Sequence, residues 1–182
     1  MSIATLATAG GPLLALGYPG QIANEEECSI MTRINESVTG GTSTATPGML
    51  DFGIAVARGT NAGMCKRIAA QADLPIGITV RDASPRPDGL NNVGYAPTDA
   101  VGIMYLGDIY VTAYETVTDG DTVMAIVSQG GKLGGVTTGA ASADRLVIPG
   151  AQWVANLGQT TIAAGTIAKV RLTGTSNPRT VS

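Results

Sequence analysis

Asp108, Glu115, Asp119 and Asp121 form the densest group of carboxylates in the chain, and they are the first place to look for chemistry. Hard oxygen donors beside glycine turns suit a calcium ion. The spacing lacks the Asp-x-Asp-x-Asp-Gly loop with its distal Glu, however, and an Asp next to Gly more often caps backbone amides in a turn. The run Gly130 to Gly135, Gly-Gly-Lys-Leu-Gly-Gly, carries no Gly-Lys-Ser/Thr and precedes no helix of adequate length, so neither a phosphate loop nor a dinucleotide fingerprint fits. It reads as a hairpin tip with Lys132 solvated. The chain holds no histidine. That removes Ser-His-Asp and Cys-His catalysis, His-bearing zinc sites and the 2-His-1-carboxylate iron site. Carboxylate, Lys or Tyr chemistry remains open, yet no acid pair stands in an apolar setting. The expectation is a protein without catalytic residues, cofactor or metal.

Cys28 and Cys65 are the two cysteines, far apart and in no Cys-x-x-Cys pattern. They read as reduced, buried small hydrophobes, with a disulfide as the alternative. Glu25-Glu26-Glu27 is a short acidic run, either a solvated face or an electrostatic docking patch. Tyr18-Pro19-Gly20-Gln21 has the residue order of a type II turn, Pro second and Gly third. Trp153, the single tryptophan, suits a core or an interface anchor.

The elements that must hold these residues are strands. Hydrophobic residues make up 44% of the 182-residue chain, enough for one packed domain, while 4% are aromatic and 14% charged. With 25 glycines, turns must be frequent, and the Leu, Glu, Lys and Arg richness of helical bundles is missing. The net charge of −3 and the scattered basic residues speak against a nucleic-acid surface. Residues 1–32 contain no Lys or Arg, and the apolar stretch Pro12 to Leu16 is too short for a signal core or a membrane span, which points to synthesis in a cytoplasm.

Period-2 alternation predicts strands at Leu50 to Val56, Ile76 to Val80, Val101 to Tyr105, Ile109 to Tyr114 and Val123 to Val127. Others are expected at Leu146 to Ile148, Gln152 to Ala155 and Ile167 to Leu172, with Ala168, Val170 and Leu172 facing inward. Met64 to Ala72 is short for a helix and equally suits a loop with a poor strand. Gly107-Asp108 and Gly120-Asp121, thirteen residues apart, read as turns preceding strands. Loops are expected at Gly40 to Gly48 and Asp82 to Thr98. The fold class is all-β, a small β-barrel or jelly-roll-like sandwich with an extended N-terminal arm: residues 1–48 form arm and loop, with a strand near Ser29 to Ile34, and 49–182 the core. Fully extended, the first 24 residues reach roughly 80 Å. So few charges guard the strands that their edges call for closure or a partner.

Several segments, taken in order, carry a resemblance: Gly17-Tyr18-Pro19-Gly20-Gln21-Ile22, Leu50 to Gly59, Ile76 to Asp82, Tyr95, the two Gly-Asp pairs, Ile148-Pro149-Gly150-Ala151-Gln152-Trp153 and Gly165 to Leu172. Their order resembles the structural cement, or head decoration, proteins of tailed bacteriophages. The leader Met1 to Leu16 and the stretch around Gly130 depart from that pattern. The resemblance implies a β-rich virion protein on the outside of the head, binding the major capsid protein and itself as dimer or trimer, with no nucleic-acid or membrane partner. Tyr18, Pro19, Gln21, Glu25, Glu26, Glu27 and Trp153 are the candidate interface residues. A carbohydrate-binding β-sandwich module is the alternative, disfavoured by the few aromatics.

Overall fold

The computed structural model describes residues 17–36, 48–81, 86–87, 93–128, 132–155 and 159–174. For Glu25, Glu26, Arg86, Pro87 and Val93 it describes the backbone alone. The leader Met1 to Leu16, residues 40–47 of the expected loop Gly40 to Gly48, the turn signals at Asp88-Gly89 and Asn91-Asn92, and Gly130-Gly131 lie outside the described residues.

The described residues form thirteen strands: β1 Ile22–Asn35, β2 Ala55–Arg58, β3 Met64–Arg67, β4 Pro75–Thr79, β5 Arg86–Pro87, β6 Val93–Gly94, β7 Ala100–Thr112, β8 Val117–Thr118, β9 Thr122–Ile126, β10 Val136–Thr137, β11 Arg145–Val154, β12 Thr161–Ile162 and β13 Ile167–Thr173. Among the described residues there is no helix. The ambiguous stretch from Met64 begins as strand β3. The alternation from Leu50 resolves into a single bridge, Leu50 to Tyr95, followed by β2.

Nine strands make one sheet in the order β1-β3-β2-β4-β7-β13-β11-β9-β10, and β7 also pairs with β1. That extra pairing closes β1, β3, β2, β4 and β7 into a barrel. Leu50, Phe52, Ile54, Val56, Cys65, Ile76, Tyr95, Val101 and Ile103 fill one core, with Met31 packed against it. Phe52 and Tyr95 meet edge to face at 5.3 Å, a favoured aromatic geometry.

The rest of the sheet, from the second half of β7 through β13, β11, β9 and β10, builds a second and larger core. Ile109, Val111, Val123, Ile148, Trp153, Val170 and Leu172 pack there with Ala55, Ala57 and Ile78 from β2 and β4. β2 and β4 thus serve both cores. On β2, Val56 joins the first and Ala55 and Ala57 the second, as the period-2 side-chain geometry of a strand requires. On β4, Ile76 and Ile78 reach different cores although two residues apart, because Ile76 is the extra residue of a bulge against β2, between the pairs Val56–Gly77 and Ala57–Pro75. Both faces of these short strands are therefore apolar. On β13, Ala168, Val170 and Leu172 are buried, while Arg171 and Thr173 are exposed, the alternation expected from the sequence.

The strand β7 corrects one expectation. Gly107-Asp108 is no turn: the predicted strands on either side are one continuous 13-residue strand. Between its pairings with Ser29 and Ile30 of β1, β7 advances from Leu106 to Met104, one extra residue. This bulge switches the inward face. Val101 and Ile103 precede it in the barrel core, and Ile109 and Val111 follow it in the second core. A single strand thereby feeds two cores. By contrast Gly120-Asp121 is the expected turn, with Gly120 at φ +80° and the Asp121 carboxylate accepting from Thr118 N–H at 2.9 Å.

Candidate protein interface

The turn at residues 18–21 is built as its residue order predicts. Gln21 N–H donates to Tyr18 O at 3.0 Å, and Gly20 sits at φ +80°, the left-handed value a type II turn needs at its third position. The Gln21 side-chain oxygen accepts from Tyr18 N–H at 3.1 Å. Gly20 N–H donates to Tyr110 O at 2.7 Å, Arg81 N–H to Gly20 O at 2.7 Å, and Tyr110 N–H to Gln21 O at 2.9 Å. A Cβ on Gly20 would stand 2.8 Å from Arg81 N and 3.0 Å from Gly53 N, so no larger residue fits. The turn is fastened to Arg81, just past β4, and to Tyr110, near the end of β7. On it Tyr18 is 62% exposed. The Arg81 guanidinium lies 5.0 Å from the Tyr18 ring centre and 5.5 Å from that of Phe52, tying the exposed ring to the barrel core through cation–π contacts.

The acidic run lies in an irregularity of β1. Asn24 pairs with Asp108 and Ser29 with Leu106, so residues 25–28 of β1 oppose Gly107 alone. Four residues against one push the chain out of the ladder. Gly107 makes room for it: φ is +115°, and a Cβ there would stand 2.8 Å from Glu27 O and 3.0 Å from Cys28 Cα. Glu27 is exposed. Beside it opens a depression of about 570 Å³ whose lining includes Asn24, Glu27, Leu106, Asp108 and Arg171.

Asp108 is the buried charge of this region, 7% exposed. Arg171 donates to both its oxygens, Nε to Oδ1 at 2.9 Å and Nη2 to Oδ2 at 3.1 Å, and Lys169 Nζ lies 3.6 Å from Oδ2. The Arg171 hydrogen bonds hold the carboxyl below its ordinary range, against desolvation and with help from Lys169. The other members of the carboxylate group turn to separate partners. Glu115 takes Arg145 at 2.6 Å and Thr137 at 2.8 Å, and Asp119 accepts from Ala155 N–H at 2.7 Å. Lys132 is exposed, with Nζ 5.8 Å from the Tyr114 ring centre.

Trp153 sits in the second core, 1% exposed, its indole N–H donating to Thr137 O at 3.1 Å. Tyr18, Pro19 and Gln21 share the turn, and the backbone of Glu25 to Glu27 bulges from the strand that follows it. Sequence reasoning did not single out Arg81, Ile30 or Ile34. Ile30 and Ile34 are 43% and 39% exposed on β1. The Ile30-Thr32-Ile34 alternation was a signal for them, but only the barrel's curvature decides that this face points outward.

The sequence matches a family model described as "Structural cement protein (E217 gp24/Pam3 gp6)" over residues 7–173. The chain belongs to the structural cement protein family. A solved structure titled "The capsid of Myoviridae Phage XM1" contains a chain with the same fold, at a TM-score of 0.64 and 16% identity. The match covers 91% of this cement protein and 95% of that chain. No curated protein sequence matches. The molecule is thus a phage structural protein with a capsid-stabilising role, associated with capsid proteins in the virion.

Proposed function

We propose that this cement protein binds the outer surface of the phage head, bridges neighbouring major capsid protein subunits and acts there as a homo-oligomer, dimer or trimer, without catalysing a reaction. The surface consists of Tyr18, Pro19 and Gln21 on the turn together with the acidic bulge Glu25, Glu26 and Glu27. Trp153, 1% exposed in the second core, is left out of this surface. The carrying observation is Tyr18: a large aromatic, 62% exposed, on a turn that three backbone hydrogen bonds fasten to the sheet. A rigid exposed aromatic loses little entropy on docking and is a common binding hot spot. The segment 1–16 leads directly into this turn. Of the arm expected over residues 1–48, Ile22–Asn35 is strand β1 of the barrel, and we assign the part before the turn to contacts with a neighbouring capsid subunit. With a net charge of −3, the partner is a protein surface rather than nucleic acid or membrane. Synthesis takes place in the host cytoplasm.

The test is co-sedimentation with undecorated expanded heads. Wild-type protein should bind stoichiometrically. Tyr18→Ala should weaken binding about tenfold or more, and removal of residues 1–16 should weaken it while the β-sheet circular-dichroism signal persists. Absence of binding across a range of salt would overturn the reading. Unchanged affinity of Tyr18→Ala would move the contact elsewhere.

A further inference from the structure

Arg81 emerges beside the Tyr18 turn, exposed, and is held at both ends. At its base, Val80 N–H donates to Gly102 O at 2.8 Å, Val80 O accepts from the Tyr95 phenol at 2.7 Å, and Arg81 N–H donates to Gly20 O at 2.7 Å. At its tip, the guanidinium stands over the rings of Tyr18 and Phe52, 5.0 and 5.5 Å from their centres. Phe52 is packed into the barrel core. The turn that carries Tyr18 is equally tight, since a Cβ on Gly53 would stand 2.7 Å from Gly20 N and 3.0 Å from Pro19 Cβ. A long side chain is thereby confined before anything docks, which lowers the entropy lost on docking.

The charge itself is unanswered. Arg67, Arg145 and Arg171 each take a carboxylate, whereas none lies within ion-pair distance of Arg81 among the described residues. Other donors stand at the same turn. The Gln21 amide commits its oxygen to Tyr18 N–H, leaving its NH2 group without an acceptor among the described residues, and the Tyr18 phenol is exposed. Donors gathered around one positive charge suit an anionic acceptor, and the planar guanidinium fork matches a carboxylate in two-point contact. We propose that Arg81 sets the specificity of the docking surface by receiving an acidic side chain, Asp or Glu, of the major capsid protein beside the Tyr18 ring.

On docking, the Tyr18 ring keeps water from one side of the pair, and a desolvated charge pair contributes more than one left in water. Glu27, exposed on the bulge and also without an ion-pair partner among the described residues, repels such a group. The two charges together orient the partner, its carboxylate toward Arg81 and away from the bulge. The contact presupposes the docking on heads proposed above. The experiment lets the two fail separately.

Undecorated expanded heads, treated with nuclease, are titrated with the full chain at several salt concentrations. Arg81→Gln should raise the Kd about 5- to 50-fold and flatten its salt dependence. Arg81→Lys, which keeps the charge but not the fork, should fall between that variant and wild type. Arg81→Glu should bind more weakly still, because it sets like charges together. Since Arg81 also supports the Tyr18 ring, the Arg81→Gln exchange is repeated in a Tyr18→Ala background, where it should again weaken binding and flatten the salt slope. No effect in that background would reduce Arg81 to a prop for Tyr18 and overturn the proposal. So would Arg81→Glu binding as tightly as wild type, or an Arg81 effect seen only before nuclease treatment, which would assign the guanidinium to nucleic-acid phosphate. Wild-type protein that fails to bind overturns both proposals, whereas wild-type binding matched by every Arg81 variant overturns this one alone. If Arg81→Gln loosens the fold, Arg81→Met, which keeps an apolar stem over Phe52 without the charge, takes its place.

Discussion

Asp108 of β7 and Arg171 of β13 face each other across the strand pair, joined by two hydrogen bonds of 2.9 and 3.1 Å. The carboxylate is nearly buried, whereas the Arg171 side chain is 55% exposed. A two-point contact with one partner in water locks the register of the two strands more than it strengthens the fold. It sits immediately beside the β1 bulge, so it also firms one wall of the depression next to Glu27.

Arg171→Ala should lower stability by about 1–2 kcal/mol, because it strips the main partner from a buried carboxylate. The pH dependence has a definite sign. Asp108 has a folded pKa below its unfolded value, so its contribution is fully present above the unfolded value of ~3.9 and lost as pH falls through the folded one. Asp108→Asn should therefore cost stability at neutral pH and narrow the gap from wild type on acidification. Urea denaturation at several pH values checks it; parallel curves for the two proteins would contradict it.

Gly107→Ala should destabilise by about 2–4 kcal/mol, combining a left-handed φ with a methyl driven against the Glu27 carbonyl and Cys28. Gly120→Ala is the control, as it also has positive φ, +80°, but nothing stands within 4 Å of the added methyl. The control should cost about 1 kcal/mol. Equal losses would show that backbone strain alone governs both.

Cys28 and Cys65 do not pair with each other; Cys65 is fully buried in the barrel core and Cys28 half-buried. Burial pushes the Cys65 thiol up to about 11, through desolvation that outweighs the nearby Arg33 charge. At neutral pH it is protonated and shielded, hence inert. Native protein treated with a thiol reagent should react first at Cys28, with Cys65 following at the rate of barrel opening. Denatured, non-reduced protein should yield both thiols at once. Fast native labelling of Cys65 would place it outside the core.

Much of this architecture was legible before any coordinates. Alternation located β4, β9 and β13, since the spacing of side chains along a strand is a local property, but only β13 buries one face alone; β4 and most of β9 are buried on both. The turn at Tyr18-Pro19-Gly20-Gln21 was equally readable, since Pro and Gly restrict φ wherever they stand. The missing histidines bounded the chemistry from composition alone. Leu106-Gly107-Asp108-Ile109 was misread for a reason that is not local. Its glycine accommodates a neighbouring strand rather than a reversal of the chain, and its aspartate answers an arginine 63 residues away. Likewise, Ile30 and Ile34 have the period of a buried face, and nothing in the sequence says that the barrel closes behind them. Closure of β7 onto β1 decides which faces become core, which edge stays open and where the acidic run emerges. These are consequences of long-range pairing, and residue type and spacing do not encode them.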